Sequence, residues 1–226
     1  MVRPKEDIFF KDTYVFKLQK LLNSKFYVVP FVNRANTVIH ESNQIINHDG
    51  MIYSEPDLII LHLGIVDCAP RLFGPTEHKI LELISYFKIF RKIISSIIKI
   101  KSKYRKFFTK YFQKTYVSEE MYKEKLEFII KQIKNNTNSM IFIINIADTH
   151  KTNKERSYNF NENIIRYNKI LSEMAETNSC TLIDFHKLTK ENKSLILQDG
   201  IHLSKQGHEI LSCMLYENIK RKIKYF

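Results

Sequence analysis

Short runs of apolar residues recur along the chain and predict buried strands. They cover residues 26–30, 57–63, 140–146 and 181–183, and each is rich in β-branched or aromatic side chains and bounded by polar residues. Runs of this length and composition are typical of strands that are covered on both faces of a sheet. We therefore predict four buried strands.

The stretches between these runs have the spacing of amphipathic helices. Apolar residues recur at intervals of three or four over residues 13–22, 118–133, 161–174 and 204–219, as expected where one face of a helix is buried. Ser118, followed by two glutamates, is a typical helix start. Strands that alternate with helices predict a three-layer α/β fold, in which helices cover both faces of a parallel sheet. We expect residues 1–226 to form a single domain.

Composition narrows the class of protein. Of the 226 residues, 44% are hydrophobic and 27% are charged, which suits a folded chain. Cys68, Cys180 and Cys213 are widely spaced, so we expect reduced thiols and a cytoplasmic location. The first residues lack the apolar segment of a secretory signal, and no apolar run approaches the roughly 18 residues of a membrane span. We expect no metal and no nucleotide cofactor, because the sequence has neither a metal-ligand cluster nor a glycine-rich phosphate loop.

Positive charge is concentrated in one segment. The net charge is +12, and no acidic residue falls between Glu82 and Glu119, whereas ten basic residues do: Lys88, Arg91, Lys92, Lys99, Lys101, Lys103, Arg105, Lys106, Lys110 and Lys114. Apolar residues interleave with them, which predicts a basic helical insertion at about residues 80–116.

Two interpretations of this insertion remain open. Residues 85–114 contact an anionic membrane surface peripherally, or the lysines form a solvated face while the apolar side packs on the domain. We favour the second interpretation. Nucleic-acid binding is not expected, because no recognised motif accompanies the charge.

The residues best suited to chemistry lie near the C-terminus. Asp199 and His202 stand three residues apart in a loop that leads into a helix. In such an arrangement the imidazole can act as a general base while the carboxylate orients it. An Asp-x-x-His pair also occurs by chance, and a histidine in this place could simply cap the helix or pack against it.

Two blocks of sequence resemble those of the SGNH, or GDSL-like, hydrolases. DGIHLSKQGH, residues 199–208, resembles the last conserved block of that family, and residues 56–67 resemble the block that ends its central strand. The run GIVDCAPR, residues 64–71, is similar to that of a branch of bacterial relatives. The resemblance implies a flavodoxin-like parallel sheet and a Ser-His-Asp triad, in which His202 would be the general base and Asp199 its orienting acid.

The resemblance also assigns residues to an oxyanion and substrate-binding region. Gly64 would permit close backbone approach beside the oxyanion, and Asp67 would support the loop after the strand. An aspartate at a strand end also often does no more than satisfy loop amides. Asn36, in a loosely matching middle block, could donate a hydrogen bond. Arg71 belongs to the same region as the last residue of the GIVDCAPR run.

The chain departs from the family pattern in ways that bear on activity. Val66 stands where the family has an asparagine, so one oxyanion donor is missing. The Gly-Asp-Ser box that carries the nucleophile is absent, and with it the first strand of the sheet. We hypothesise that Met1 is an internal or misassigned start and that the serine lies upstream of it. Cys68 is a conceivable substitute nucleophile, but the family's nucleophile lies on a different strand.

These observations favour an SGNH-type ester hydrolase, an acyl or O-acetyl esterase whose partner is an ester-bearing small molecule, carbohydrate or lipid. For the 226 residues as they stand we expect little or no hydrolysis, because the serine is missing. The alternative is a non-catalytic SGNH-like domain that binds a glycan or a protein partner through the retained cleft.

Overall fold

Three parallel strands form the centre of the molecule. The computed structural model describes residues 7–23, 26–33, 35–45 and 54–223. Within them, β1 (Leu58–Leu61), β2 (Met140–Ile144) and β3 (Thr181–Ile183) lie in the order β1-β2-β3. Leu58 is in register with Met140, and Phe142 is in register with Thr181. Each of these strands was predicted from its β-branched run.

Helices connect and cover the strands. In chain order they are α1 (Tyr14–Leu22), α2 (Val38–Ile45), α3 (Ile65–Cys68), α4 (Pro75–Ser85), α5 (Lys88–Lys103), α6 (Arg105–Phe112), α7 (Glu119–Asn136), α8 (Lys151–Arg156), α9 (Phe160–Thr177), α10 (Phe185–Glu191) and α11 (Lys205–Lys222). The four predicted helices correspond to α1, α7, α9 and α11. Ser118 caps α7 as expected, because its side chain accepts a hydrogen bond from the Met121 N–H.

The core lies in two layers, one on each face of the sheet. Successive residues of a strand point to opposite faces, so Ile141 and Ile143 of β2 face one cluster while Phe142 and Ile144 face the other. Helices α2, α7 and α9 pack on the first face, and α1 and α11 pack on the second. This is the predicted three-layer α/β arrangement with helices on both faces.

The prediction of a strand at residues 26–30 is wrong. This segment has no regular secondary structure and forms no ladder with any described strand. The side chain of Gln19 takes its backbone groups instead, accepting from the Val28 N–H (2.6 Å) and donating to the Phe26 carbonyl (2.8 Å). Tyr27 and Val29 are exposed while Phe26 and Val28 pack inward. The segment therefore keeps the alternating burial of a strand, but no strand in the described part of the chain pairs with it.

A long groove separates this segment from the sheet. Its volume is about 880 Å³; Leu58–Leu61 line one side, and residues 26–32 line the other. Helices α1 and α11 contribute apolar side chains to it, among them Leu18, Leu22 and Ile219. Among the described strands only β2 pairs with β1. The outer edge of β1 therefore opens into a groove that follows the full length of the strand.

Helices α4, α5 and α6 form the basic insertion, which begins at Pro75, somewhat earlier than expected. We favoured the interpretation that the apolar side of the insertion packs on the domain, but the structure leaves most of that side exposed. Ile94 is the one buried apolar residue in α5, and α4 has none. Exposed apolar residues occur in all three helices, including Leu83, Ile89 and Tyr111. None of the helices in the described part of the chain is both long enough and apolar enough to span a membrane.

Candidate functional site

Asp199 and His202 form a hydrogen-bonded pair in the loop before α11. Oδ2 of Asp199 lies 2.6 Å from Nδ1 of His202, and Oδ1 accepts the backbone N–H groups of Ile201 (2.9 Å) and His202 (3.0 Å). Backbone N–H groups of this turn thus fix the Asp199 carboxylate, and the carboxylate in turn orients the His202 imidazole. Both side chains are partly exposed, at 24% for Asp199 and 33% for His202, so the pair is accessible from solvent.

Two residues that follow β2 hold this loop in place. Thr149 donates its hydroxyl to the Gly200 carbonyl (2.6 Å), and Asn153 donates its amide to the Asp199 carbonyl (2.7 Å). Gly200 has a φ of +69°, and a Cβ added there would lie 2.5 Å from Asn153 Nδ2. Glycine is therefore required both by the left-handed backbone and by the close approach. These contacts place the Asp199–His202 loop at the carboxyl end of the sheet, where active sites of parallel α/β folds occur.

The start of α11 ties the loop to α1. Ser204 caps α11, accepting from the Gly207 N–H (3.1 Å). One turn later, Nδ1 of His208 accepts the N–H of Tyr14, the first residue of α1 (3.1 Å). His208 is buried, and burial lowers its pKa from 6.5 to about 4. The neutral ring thus serves as the N-terminal acceptor of α1.

A tight corner follows β1 and contains Gly64 and Asp67. Gly64 has a φ of +124°, and a Cβ there would lie 2.6 Å from Ile146 Cδ1 and 2.8 Å from the Tyr122 hydroxyl. Asp67 is fully buried and accepts the Val38 N–H at Oδ1 (2.9 Å). Its Oδ2 has no hydrogen-bond partner among the described residues. Burial raises the pKa of Asp67 to about 6, against the opposing effect of backbone hydrogen bonds.

Arg71 and Asn36 border the groove near this corner. The Arg71 guanidinium lies 3.9 Å from the Tyr116 ring centroid and donates to the Val66 carbonyl (2.9 Å). Asn36 donates its amide to Oε2 of Glu41 (2.6 Å). Both are therefore engaged with the protein itself. An amide nitrogen carries two hydrogens, so Asn36 retains the capacity to donate a second bond.

The structure brings most of the candidate residues to one groove. His202, Gly64, Asn36 and Arg71 all line it. Asp199 lies behind His202, bonded to its far ring nitrogen. Asp67 is buried beneath the corner and does not line the groove, so its contact with Val38 agrees with the simpler interpretation that it satisfies a loop amide.

The described residues do not bring a nucleophile to His202. The Cys68 thiol is fully buried, and burial raises its pKa far above the usual range, so it is not the nucleophile. Ser54 is the only described residue lining the groove that carries an aliphatic hydroxyl or a thiol. It precedes β1, whose four residues span about 10 Å, and therefore lies at the opposite end of the strand from the dyad loop.

Some residues of the site were not predicted from the sequence. Thr149 and Asn153 position the dyad loop, and Tyr116 stacks on Arg71, yet none belongs to a recognisable motif. The signal that could have pointed to Thr149 is its place just after a predicted strand. Within the part of the chain that the structure describes, no three His, Cys, Asp or Glu side chains are grouped as metal ligands would be.

Comparison with known proteins gives one family and one fold. The model of the GDSL-like lipase/acylhydrolase family matches residues 12–210. No curated protein sequence is similar enough to match the chain. The acetyl xylan esterase AlAXEase is similar in structure, with a TM-score of 0.64 at 14% identity over 92% of this chain and 91% of that one.

Two further solved structures have the same fold. Axe2, an acetylxylan esterase from Geobacillus stearothermophilus, has a TM-score of 0.58 at 18% identity, over 92% of this chain and 80% of that one. A lipase/acylhydrolase from Enterococcus faecalis has a TM-score of 0.56 at 15% identity, over 84% of this chain and 73% of that one. Similarity at these identities establishes a shared fold and not a shared substrate.

Proposed function

Because the chain belongs to the GDSL-like lipase/acylhydrolase family, we propose that it is an ester hydrolase with a Ser-His-Asp mechanism. His202 is the general base and Asp199 its orienting acid. The observation that carries this proposal is that the imidazole of His202, bonded to Asp199 through Nδ1, lines an open groove at the carboxyl end of the sheet.

In this mechanism the serine hydroxyl attacks the ester carbonyl carbon. Nε2 of His202 takes the hydroxyl proton and passes it to the leaving alcohol, which leaves an acyl-serine. Water then attacks the acyl carbonyl, and its proton passes through Nε2 to the serine oxygen as the acid is released. Asp199 stabilises the imidazolium that forms in each step. Its own backbone hydrogen bonds, from Ile201 and His202, keep the carboxylate fixed while the ring changes charge.

We further propose that the serine is carried by a strand that adds to the open edge of β1. The groove offers this strand the edge of β1, with which no described strand pairs, on one side and segment 26–32 on the other. Filling it would satisfy backbone groups that are costly to leave unpaired when buried. A parallel strand in this position ends beside Gly64, and therefore at the end of the groove where the dyad loop lies. Without it, residues 1–226 are expected to hydrolyse esters little or not at all.

The oxyanion is proposed to be stabilised by backbone amides near Gly64 and by the second amide hydrogen of Asn36. Val66 supplies no donor, and loss of one such donor costs about 10²–10³ in rate in other hydrolases. The proposed substrate class is an acyl or O-acetyl ester of a carbohydrate or lipid. The acetyl xylan esterases among the structural neighbours support the carbohydrate ester as the first to test.

A second function is favoured by a different observation. Along the described part of the groove, Ser54 is the one aliphatic hydroxyl, and it lies at the wrong end. A non-catalytic domain that binds a glycan or a protein partner in the groove would need no nucleophile. This candidate predicts ligand binding that survives His202→Ala.

The test is covalent labelling of the protein purified from its native source with a fluorophosphonate, followed by mass spectrometry of the labelled peptide. Esterase activity on p-nitrophenyl acetate is measured in parallel for the wild type and His202→Ala. The control is His78→Ala, which removes an exposed histidine of α4 outside the groove. We expect a labelled serine in the wild type and in the control, and loss of both labelling and turnover in His202→Ala.

Other outcomes would overturn the proposal in different ways. A label on Ser54 would contradict the added strand while leaving an esterase. Absence of labelling and turnover, together with glycan or protein binding that His202→Ala leaves intact, would favour the binding domain.

A further inference from the structure

The helical insertion presents an apolar surface that the rest of the domain does not cover. Ile89, Ile93 and Ile100 of α5 are 77%, 54% and 55% exposed. An exposed apolar surface of this kind usually marks an interaction site. The surface is independent of the groove, since no residue of α4, α5 or α6 lines it.

The apolar and basic residues of α5 occupy adjacent stripes. At about 100° per residue, Ile89, Ile93, Ile97 and Ile100 fall on one side of the helix over a length of about 17 Å. Lys88, Lys92, Lys99 and Lys103 form a parallel row next to them. The edge of the isoleucine stripe that lies away from the lysine row is turned toward the protein.

Two contacts identify the side of α5 that is turned toward the protein. Ile94 is buried, and the Lys101 ammonium lies 4.3 Å from the centroid of the Phe73 ring. Both residues lie nearly opposite the lysine row and about 90° around the helix from the centre of the isoleucine stripe. The lysine row therefore faces away from the domain, and the stripe lies on the flank between them, where its isoleucines remain 39–77% exposed.

Helix α6 continues the same chemistry with aromatic residues. Phe107 and Tyr111 stack on each other at 5.9 Å and are both exposed. Lys106 and Lys110 are exposed beside them. Aromatic rings next to lysines are typical of helices that lie at the boundary between lipid headgroups and acyl chains.

We propose that α4, α5 and α6 form a docking surface for an anionic lipid bilayer, with the isoleucine stripe and the α6 aromatics entering the headgroup region. Charge identifies the partner. Residues 83–118 contain ten basic and no acidic side chains, and the rest of α4 adds Lys79 against Glu77 and Glu82, so the surface is strongly positive and would repel the same surface of a second copy. Nucleic acid would match the charge but would leave the isoleucines of α5 exposed to water.

The base of the insertion is fixed to the loop that borders the groove. Arg105 of α6 donates to the Pro70 carbonyl (2.7 Å), and the Arg71 N–H donates to the Lys114 carbonyl (2.8 Å). Arg71 itself lines the groove. A docked insertion would therefore hold the candidate site close to the bilayer surface.

The experiment is co-sedimentation of the full chain with vesicles. One set contains phosphatidylcholine with about 30% phosphatidylglycerol, and the other contains phosphatidylcholine alone, at about 0.1 M and about 0.5 M NaCl. The test variants are Ile93→Ser/Ile97→Ser and Lys92→Glu/Lys99→Glu. Their controls are Ile165→Ser, an exposed isoleucine of α9, and Lys187→Glu/Lys190→Glu, exposed lysines of α10.

We expect the wild type to bind the anionic vesicles about tenfold or more tightly than the neutral ones, with part of the binding remaining at high salt. Each test variant should lose about tenfold or more in affinity, while the controls bind like the wild type. Three outcomes would overturn the proposal: no preference for anionic vesicles, equal loss in test and control variants, or a dimer by sedimentation velocity that the isoleucine variant abolishes while vesicle binding is absent. Circular dichroism of each variant verifies that it is folded.

Discussion

The two edges of β1 lie in contrasting surroundings. On one side β1 pairs with β2, and residues that follow β2 support the loop before α11, in which each carboxylate oxygen of Asp199 is bonded. On the other side the segment Phe26 to Val32 lies across an open groove, bonds to the side chain of Gln19 and pairs with no described strand. If the proposed mechanism holds, the comparison teaches that the acid and base half of the site can be formed while the nucleophile half is open, because different strands support them.

We call the side of β1 that pairs with β2 the closed side and the side that faces the groove the open side. The largest expected effect is on the closed side. In the native-source protein that labels with fluorophosphonate, Asp199→Asn should reduce kcat by about 10³–10⁴, because the amide cannot hold the Nδ1 proton in the required tautomer. Steady-state kinetics on p-nitrophenyl acetate measure this. Glu176→Gln, at an exposed position of α9 outside the groove, is the matched control and should leave kcat unchanged. Equal activity of both variants would remove Asp199 from the mechanism.

Packing on the closed side should dominate the free energy of unfolding. Ile143 of β2 is fully buried in the layer beneath α7 and α9, so Ile143→Ala should lower that free energy by about 3 kcal/mol through lost contacts and an internal cavity. Urea denaturation monitored by circular dichroism gives the value. A loss below about 1 kcal/mol would mean that this layer is less tightly packed than the structure indicates.

The contact between His208 and α1 should make stability depend on pH. Burial depresses the pKa of His208 from 6.5 to about 4, so as pH falls through this range the unfolded chain takes up a proton before the folded one. The free energy of unfolding should therefore fall by roughly 2 kcal/mol between about pH 8 and about pH 5. Gln in place of His208 can still accept the Tyr14 N–H, so His208→Gln should remove this dependence of the free energy of unfolding on pH.

The wild type also contains Asp67, whose raised pKa of about 6 acts in the opposite direction. Burial of its charge weakens the folded state above about pH 6 and ceases to do so on acidification. The difference between the wild type and His208→Gln, and not the wild-type profile alone, therefore isolates His208. Identical profiles for the two proteins would contradict the assignment.

The smallest effect is expected on the open side. Val29 is 66% exposed in the segment across the groove, so Val29→Ala should change the free energy of unfolding of residues 1–226 by less than about 0.5 kcal/mol. The same denaturation experiment as for Ile143→Ala supplies the comparison. A loss near that of Ile143→Ala would show that the segment is covered in solution, and the groove would not be open.

The pattern of residues predicted the closed side well because its signals are local. The runs at residues 140–146 and 181–183 become β2 and β3, and the Asp199–His202 spacing leads to the observed hydrogen bond. Helix α2 was missed because it has only eight residues and opens with two β-branched ones. Residues 26–30 were predicted as a strand because they alternate as one, but a strand also needs a partner, which local pattern does not reveal.

Long-range contacts explain the other differences. Thr149 and Asn153 support a loop about fifty residues away, and no spacing rule connects them to Asp199 and Gly200. The charge of residues 85–114 was visible in the sequence. Which face of α5 packs on the domain depended on the position of single residues such as Ile94 and Lys101.

The pairing of Arg71 with Lys114 brings the two ends of the basic insertion together. The two residues form an isolated antiparallel bridge, so the chain leaves the domain and returns to it at points about 5 Å apart. A segment with such adjacent ends can be gained, lost or exchanged during evolution without rerouting any strand. Residues 72–113 therefore have the properties of a portable module, and a two-residue turn joining Arg71 to Lys114 should be enough to replace it.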